Sequence, residues 1–204
     1  MKLYYAPGAC SLAPHIVLRE AGAEFSLVKV DTGRHVVADG TDYYTLNPKG
    51  QVPMLELPDG SRWTEGPVIA QFIADRLGAT ALMPPAGSIE RYRVQEWQNY
   101  ITSELHKSFT PLFNPALDAA AKGTLAAVLL KKLQWVDQQL EGRQFLTGDT
   151  FTAADAYLFT VCGWARHVAV DLSALAHLQA FLARVAQRPA VRAAMKAEGL
   201  PVAA

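Results

Sequence analysis

The chain has 204 residues, half of them hydrophobic, enough for one sizeable domain or two small ones. Nineteen basic residues balance nineteen acidic ones, so there is no electrostatic reason to expect nucleic acid or an anionic membrane surface as partner. No apolar run approaches the roughly 18 residues of a membrane span, Pro7-Gly8 arrives too early for the apolar core of a secretory signal, and two cysteines, Cys10 and Cys162, make no disulfide framework. The expectation is a cytoplasmic protein with no membrane attachment.

In chain order, Leu3–Tyr5 reads as a strand and residues 11–21 as a helix, with Ser11 as N-cap and Gly22 as terminator. Phe25, Leu27 and Val30 belong to a β-rich run ending at Asp31. Residues 32–41 read as irregular, followed by a short helical turn before Asn47-Pro48-Lys49-Gly50. Two strands, 54–57 and 61–63, flank the hairpin signal Pro58-Asp59-Gly60. Pro67 then opens a helix running to Leu77, since a proline costs little at the first helical position. This order needs one crossover and then a hairpin, which implies a mixed sheet flanked by helices.

After Leu77 the composition changes. Residues 80–87 lie in a Gly- and Pro-rich linker, and beyond it only helical periods follow, over 89–109, 116–140, 152–167, 178–187 and 190–198. Thr152-Ala-Ala-Asp155 fits a capping box. The expected plan is an α/β domain over 1–79, the linker, and an all-helical domain over 88–204.

Cysteine 162 sits inside the apolar LFTVCGWA and reads as a small buried hydrophobe. Cysteine 10 lies in a Gly-containing turn at the mouth of a helix, where the positive end of the helix favours a thiolate. Local sequence leaves filler and reactive thiol equally open. A dithiol redox motif would need a second cysteine where the chain has Ala13, so a reactive Cys10 must use an external thiol.

Three further features invite chemistry. Val52-Pro53 stands directly before a strand. It reads either as an ordinary strand-start proline or as a cis bond turning the Val52 backbone outward toward an extended peptide. Thr64-Glu65-Gly66 opens a helix, where Glu65 either complements the helix dipole or takes a ligand ammonium while backbone N–H groups at Gly66 take a carboxylate. In the helix 89–109, Val94, Trp97, Ile101, Leu105 and Phe109 form a core-facing stripe. At 100° per residue, Asn99, Ser103 and His106 share an arc of about 60° on nearly the opposite side, with Glu104 between the stripes. Short hydrogen-bonding groups suit a cleft wall, although an outer polar face is commonly just solvated.

Taken together, MKLYYAPGACSLAPHIVLREAG, NPKGQVPML, TEGPVIAQFIADRLG, RYRVQEWQNYITSELHKSFTPLFNP and FTAADAYLF resemble the cytosolic glutathione transferases, specifically the bacterial beta class, over essentially the whole chain. The resemblance implies a thioredoxin-like N-terminal domain, an all-helical C-terminal domain and a homodimer that binds glutathione between the domains. It implies no other cofactor and no metal; glutathione is the co-substrate and a hydrophobic electrophile the second substrate. Position by position, it makes Cys10 the residue facing the glutathione sulfur, in mixed-disulfide exchange or reductive dehalogenation as well as conjugation, with His106 reaching the same sulfur. Val52 would pair with the cysteinyl backbone, Glu65 and Gly66 with the γ-glutamyl head. Asn99 and Ser103 would line the cleft, and Glu104 would reach across the dimer. Where the family often carries lysine this chain has His35, which when protonated, or with Arg34, is what remains for the glycyl carboxylate.

Overall fold

The computed structural model describes residues 1–168 and 170–202. Its first part alternates β1 (Lys2–Tyr5), α1 (Leu12–Glu20), β2 (Ser26–Asp31), β3 (Val36–Val37), a 3-10 turn at Tyr43–Thr45, β4 (Met54–Glu56), β5 (Arg62–Thr64) and α2 (Gly66–Arg76). The strands make one mixed sheet in the order β3-β2-β1-β4-β5. Central β1 runs parallel to β2 and antiparallel to β4, with Leu3 opposite Leu27 and Leu55. The crossover through α1 makes the parallel pair, and the turn at Pro58-Asp59-Gly60 closes the β4–β5 hairpin, with Leu57 N–H bonded to the Ser61 carbonyl at 2.9 Å.

Alternation along β1 sorts its side chains to two faces. Leu3 joins a large core with Ile16, Leu55 and Ile69, whereas Tyr4 joins a smaller one with Val30, Tyr43, Val52 and Met54.

The remainder is helical: α3 (Ile89–Tyr100), a π-helical segment (Ile101–His106), α4 (Lys107–Phe109), a 3-10 turn (Thr110–Phe113), α5 (Ala119–Gln139), α6 (Ala153–Cys162), a 3-10 turn (Ala165–His167), α7 (Ala176–Ala186) and α8 (Pro189–Ala197). Helix α6 is apolar on nearly every side and is the central helix, buried at every residue but Phe159. Its start carries the expected capping box, with Thr152 and Asp155 bonded reciprocally. Helix α1 packs on α2, α6 and α8, so the large core runs unbroken from Leu3 to Ala194 across both parts.

The structure departs from the sequence reading in four places. Ser11 does not cap α1: its backbone is already helical and its hydroxyl bonds the Ala6 N–H and C=O, each at 3.2 Å. Residues 36–37 form the short edge strand β3 rather than irregular chain, because Val30 and Asp31 offer a free edge beside them. The helix expected over 152–167 stops at Cys162, followed by Gly163. The helix expected over 89–109 is α-helical only to Tyr100 before widening into the π segment.

Candidate active site

The loop from Ala6 to Ser11 links β1 to α1 and carries Cys10. Its Gly8, at φ +70°, is held on both sides by the helical part: its N–H donates to Glu198 Oε2 at 2.9 Å, and its carbonyl accepts from Trp164 Nε1 at 2.8 Å. Cys10 Sγ donates to the Val52 carbonyl at 3.1 Å. Burial pushes the thiol up to about 11, against the pull of the Cys10 and Ser11 backbone N–H groups and of Lys107. The helix mouth therefore does not give a thiolate in the free protein. Desolvation outweighs the partial charge there, and Cys10 rests as a protonated thiol. Cys162 is fully buried and pushed up to about 12, as expected of a filler.

Val52-Pro53 is cis. Ahead of it, Gln51's carbonyl accepts from Asn47 Nδ2 at 2.7 Å and from Tyr43 OH at 3.0 Å. Gly50 has φ +65°, and a Cβ there would lie 2.5 Å from Tyr44 Cε1, so only glycine fits. His35 braces the same loop: Nδ1 is 3.1 Å from the Gly50 carbonyl, and the ring packs on Tyr44 at 4.5 Å. Its observed contact is thus to the loop beneath the site.

Glu65 takes a positive φ of 67° immediately before α2, a conformation non-glycine residues rarely hold outside functional sites. Its exposed carboxylate pairs with Lys49 Nζ at 2.6 Å, and Lys49 also donates to Thr64 Oγ1 at 3.0 Å. An exposed ion pair contributes little stability, so a ligand cation can displace Lys49. Gly66 starts α2, whose first N–H groups lack intrahelical partners.

From the helical part, His106 ends the π segment. Its Nδ1 lies 2.7 Å from Tyr157 OH, and its ring meets the Trp164 ring edge-on at 4.8 Å and 70°. Burial, reinforced by Lys107, lowers His106 to about 4 despite the opposing charge of Glu65, so the imidazole is neutral near pH 7. Cys10 feels the charges of Glu65 and Lys107, and Tyr157 those of Cys10 and Glu65. Through these charges, and the bond from Tyr157 to His106, Cys10, Glu65, His106, Lys107 and Tyr157 form one group of electrostatic neighbours.

Asn99 and Ser103 are both exposed, and Ser103 Oγ donates to the Asn99 carbonyl at 3.1 Å. The shared arc assumed 100° per residue, and a π turn spends an extra residue per revolution, which turns His106 away from Asn99. Glu104 pairs with Lys132 at 2.9 Å, which holds its carboxyl below the usual range. Among the described residues, no three His, Cys, Asp or Glu side chains converge as a metal site.

Sequence reasoning missed Lys107, Tyr157, Trp164 and Glu198. It also gave no role to His15, whose Nδ1 is 2.8 Å from Glu198 Oε1 while Nε2 accepts from Arg19 Nε at 2.9 Å. Only Lys107 carried a readable signal, as the neighbour of His106; Tyr157 meets His106 from 51 residues away, and Trp164 and Glu198 meet Gly8 from 156 and 190.

Residues 8–76 match the family model described as glutathione S-transferase, N-terminal domain, and residues 90–197 that of the C-terminal domain. The chain belongs to the glutathione S-transferase family. The transferase is 52% identical over 200 residues to glutathione S-transferase GstA of Escherichia coli O157:H7, covering 98% of this chain and all of that one. A sphingomonad glutathione S-transferase solved in complex with glutathione superposes with a TM-score of 0.94 at 46% identity, over 98% of this chain and 100% of that one. The bacterial beta-class transferase of Sphingomonas chungbukensis gives the same TM-score, identity and coverage. The fold is that of the family: a thioredoxin-like N-terminal domain and a helical C-terminal domain.

Proposed function

We propose that this transferase binds glutathione in the cleft between sheet and helices and transfers it to electrophilic small molecules. One observation carries the reading: Cys10 Sγ bonds the Val52 carbonyl at 3.1 Å, and the charge of Glu65 acts on both Cys10 and the neutral His106. In it the γ-glutamyl ammonium replaces Lys49 on Glu65, its carboxylate meets the N–H groups around Gly66, and the cysteinyl N–H takes the Val52 carbonyl. The thiol then lies beside Cys10 and His106. Conjugation requires the glutathione thiol to lose its proton, and hydrogen-bond donors aimed at sulfur favour that state.

Cys10 supplies a second chemistry, thiol exchange. A thiolate at Cys10 attacks oxidised glutathione, forms a Cys10–glutathione disulfide and releases one glutathione thiolate. The same exchange serves reductive dehalogenation: the glutathione thiolate displaces halide to give a thioether, and a Cys10 thiolate then attacks the thioether sulfur, forming the Cys10–glutathione disulfide and releasing the carbon as a carbanion that takes up a proton. For the glycyl carboxylate the chain offers Lys49, released from Glu65, and His35 or Arg34 on the segment before β3.

A homodimer fits the exposed Val68 of α2 and Ile89 and Tyr92 of α3, large apolar side chains on two packed helices. Asn99, Ser103 and Glu104 then act at the cleft's outer edge or across the dimer. Two free thiols and a thiol co-substrate fit a reducing cytoplasm; among the described residues no helix is long and apolar enough to cross a membrane.

Retention on immobilised glutathione with turnover of a chromogenic aryl halide tests the reading. Binding without turnover of any electrophile or disulfide would replace the enzyme by a carrier. Cys10→Ala is expected to keep glutathione affinity and lose the adduct that oxidised glutathione forms on the protein. An adduct persisting in that variant would place the exchange elsewhere.

A further inference from the structure

The Tyr157 hydroxyl is buried beside the cleft and is used by none of the steps above. Tyr157 lies on α6, the most buried helix, one turn after the capping box that fixes the helix start. Its hydroxyl lies 2.7 Å from His106 Nδ1, with Thr102 as a further neighbour. A buried O–H must find an acceptor, and Nδ1 is the one at short range. The nearby Thr102 hydroxyl already donates to the Gln98 carbonyl at 2.8 Å. Burial raises Tyr157 above the ordinary phenol range, so it keeps its proton.

A neutral imidazole has one N–H, and whichever nitrogen accepts a bond leaves the proton on the other. With Nδ1 accepting, the proton sits on Nε2, across the ring from Tyr157. The ring cannot readily turn over: it stands nearly perpendicular to Trp164 at 4.8 Å and to Tyr157 at 6.0 Å. Trp164 is itself tied to Gly8, two residues before Cys10.

We propose that Tyr157 is a positioning residue for glutathione transfer, its hydroxyl fixing His106 in the tautomer that presents an Nε2 N–H to the glutathione sulfur. This rests on the reading that His106 reaches that sulfur. The imidazole so held stabilises the thiolate as a donor; it does not remove the thiol proton as a base. The opposite tautomer, with Nδ1 donating to Tyr157, would leave Nε2 bare and reverse that role. The other charged groups facing the cleft, Glu65 and Lys107, and the Cys10 thiol are unchanged by removing one phenol oxygen.

Tyr157→Phe, with its fold checked by thermal unfolding, is the discriminating variant. The pKa of enzyme-bound glutathione, read from thiolate absorbance against pH, is expected to rise by about one unit, with kcat for a halide substrate falling about tenfold and glutathione affinity within twofold. In the native protein, nitrogen-15 spectra of His106 are expected to show a bare Nδ1 and a protonated Nε2. An unchanged bound-thiol pKa in Tyr157→Phe, or a protonated Nδ1 in the native protein, overturns the proposal. His106→Gln separates the two levels: if it too leaves the bound-thiol pKa unchanged, His106 does not serve the sulfur and the underlying reading fails. If it raises that pKa while Tyr157→Phe does not, only the role of Tyr157 fails.

Discussion

Glu198 is the residue that ties the Cys10 loop to the helical part, and its loss should be costly. Its side chain and that of His15 are both fully buried, and its two oxygens accept from the Gly8 N–H at 2.9 Å and from His15 Nδ1 at 2.8 Å. Arg19 can only donate to His15 Nε2, so Nδ1 carries the proton and depends on Glu198. Glu198→Ala leaves the buried His15 donor and the part-buried Gly8 donor without partners, at about 1–3 kcal/mol each, and opens a small void. A net loss of about 4 kcal/mol is expected, which for a chain of this length lowers Tm by roughly 8–16 °C. Circular dichroism melts of the full chain measure it, and a double-mutant cycle with His15→Phe should show coupling of about 1–2 kcal/mol, since that change removes one stranded donor. Glu198→Gln should recover only part of the loss, because its amide must point an N–H at one of the two donors. A Tm within 2 °C of the parent for Glu198→Ala would refute the reasoning, because the His15 donor is fully buried.

Cys10 alkylation by iodoacetamide in the absence of glutathione should rise about tenfold per pH unit from neutrality toward pH 10, as a thiol pushed up to about 11 requires; a plateau near pH 7 would mean a resting thiolate. Gly50→Ala should cost more than the ~1–2 kcal/mol of left-handed backbone alone, because Tyr44 must move from 2.5 Å; unchanged melting and glutathione affinity would show that the loop is not fixed there. His106 is held at about 4 against 6.5 in free chain, so the unfolded chain takes up its proton first. Stability from keeping it neutral is full above pH 6.5 and lost as pH falls toward 4. Acid titrations of unfolding should therefore show a shallower decline over that window in His106→Asn.

Strands β1, β2, β4 and β5, the hairpin, α2 and the capping box were legible because each is specified by residues within a few positions, as at Pro58-Asp59-Gly60, Pro67, Thr152 and Asp155; β3 was not, because it forms only against the edge of β2. Ser11 misled because a serine before a helical period has two local uses, and tertiary context chose the Ala6 backbone. The stripe arithmetic failed past Tyr100 because residue spacing assumes a regular helix, and nothing in ITSELH announces a π turn. The partners of Cys10 and His106 were out of reach for another reason: Tyr157, Trp164 and Glu198 read as ordinary helix residues until the fold brings α6 and α8 onto α1.

The two bonds to Gly8 also bear on when the site can exist. The sheet strands and Cys10 leave the ribosome early, but the acceptor and donor that hold the Cys10 loop lie at positions 198 and 164. Domains tend to fold as units from the N-terminus during synthesis, and here the first unit must wait for Glu198 before its loop is fixed. A nascent chain ending short of that residue would carry the sulfur without its setting, so synthesis itself withholds the site until position 198 has been made.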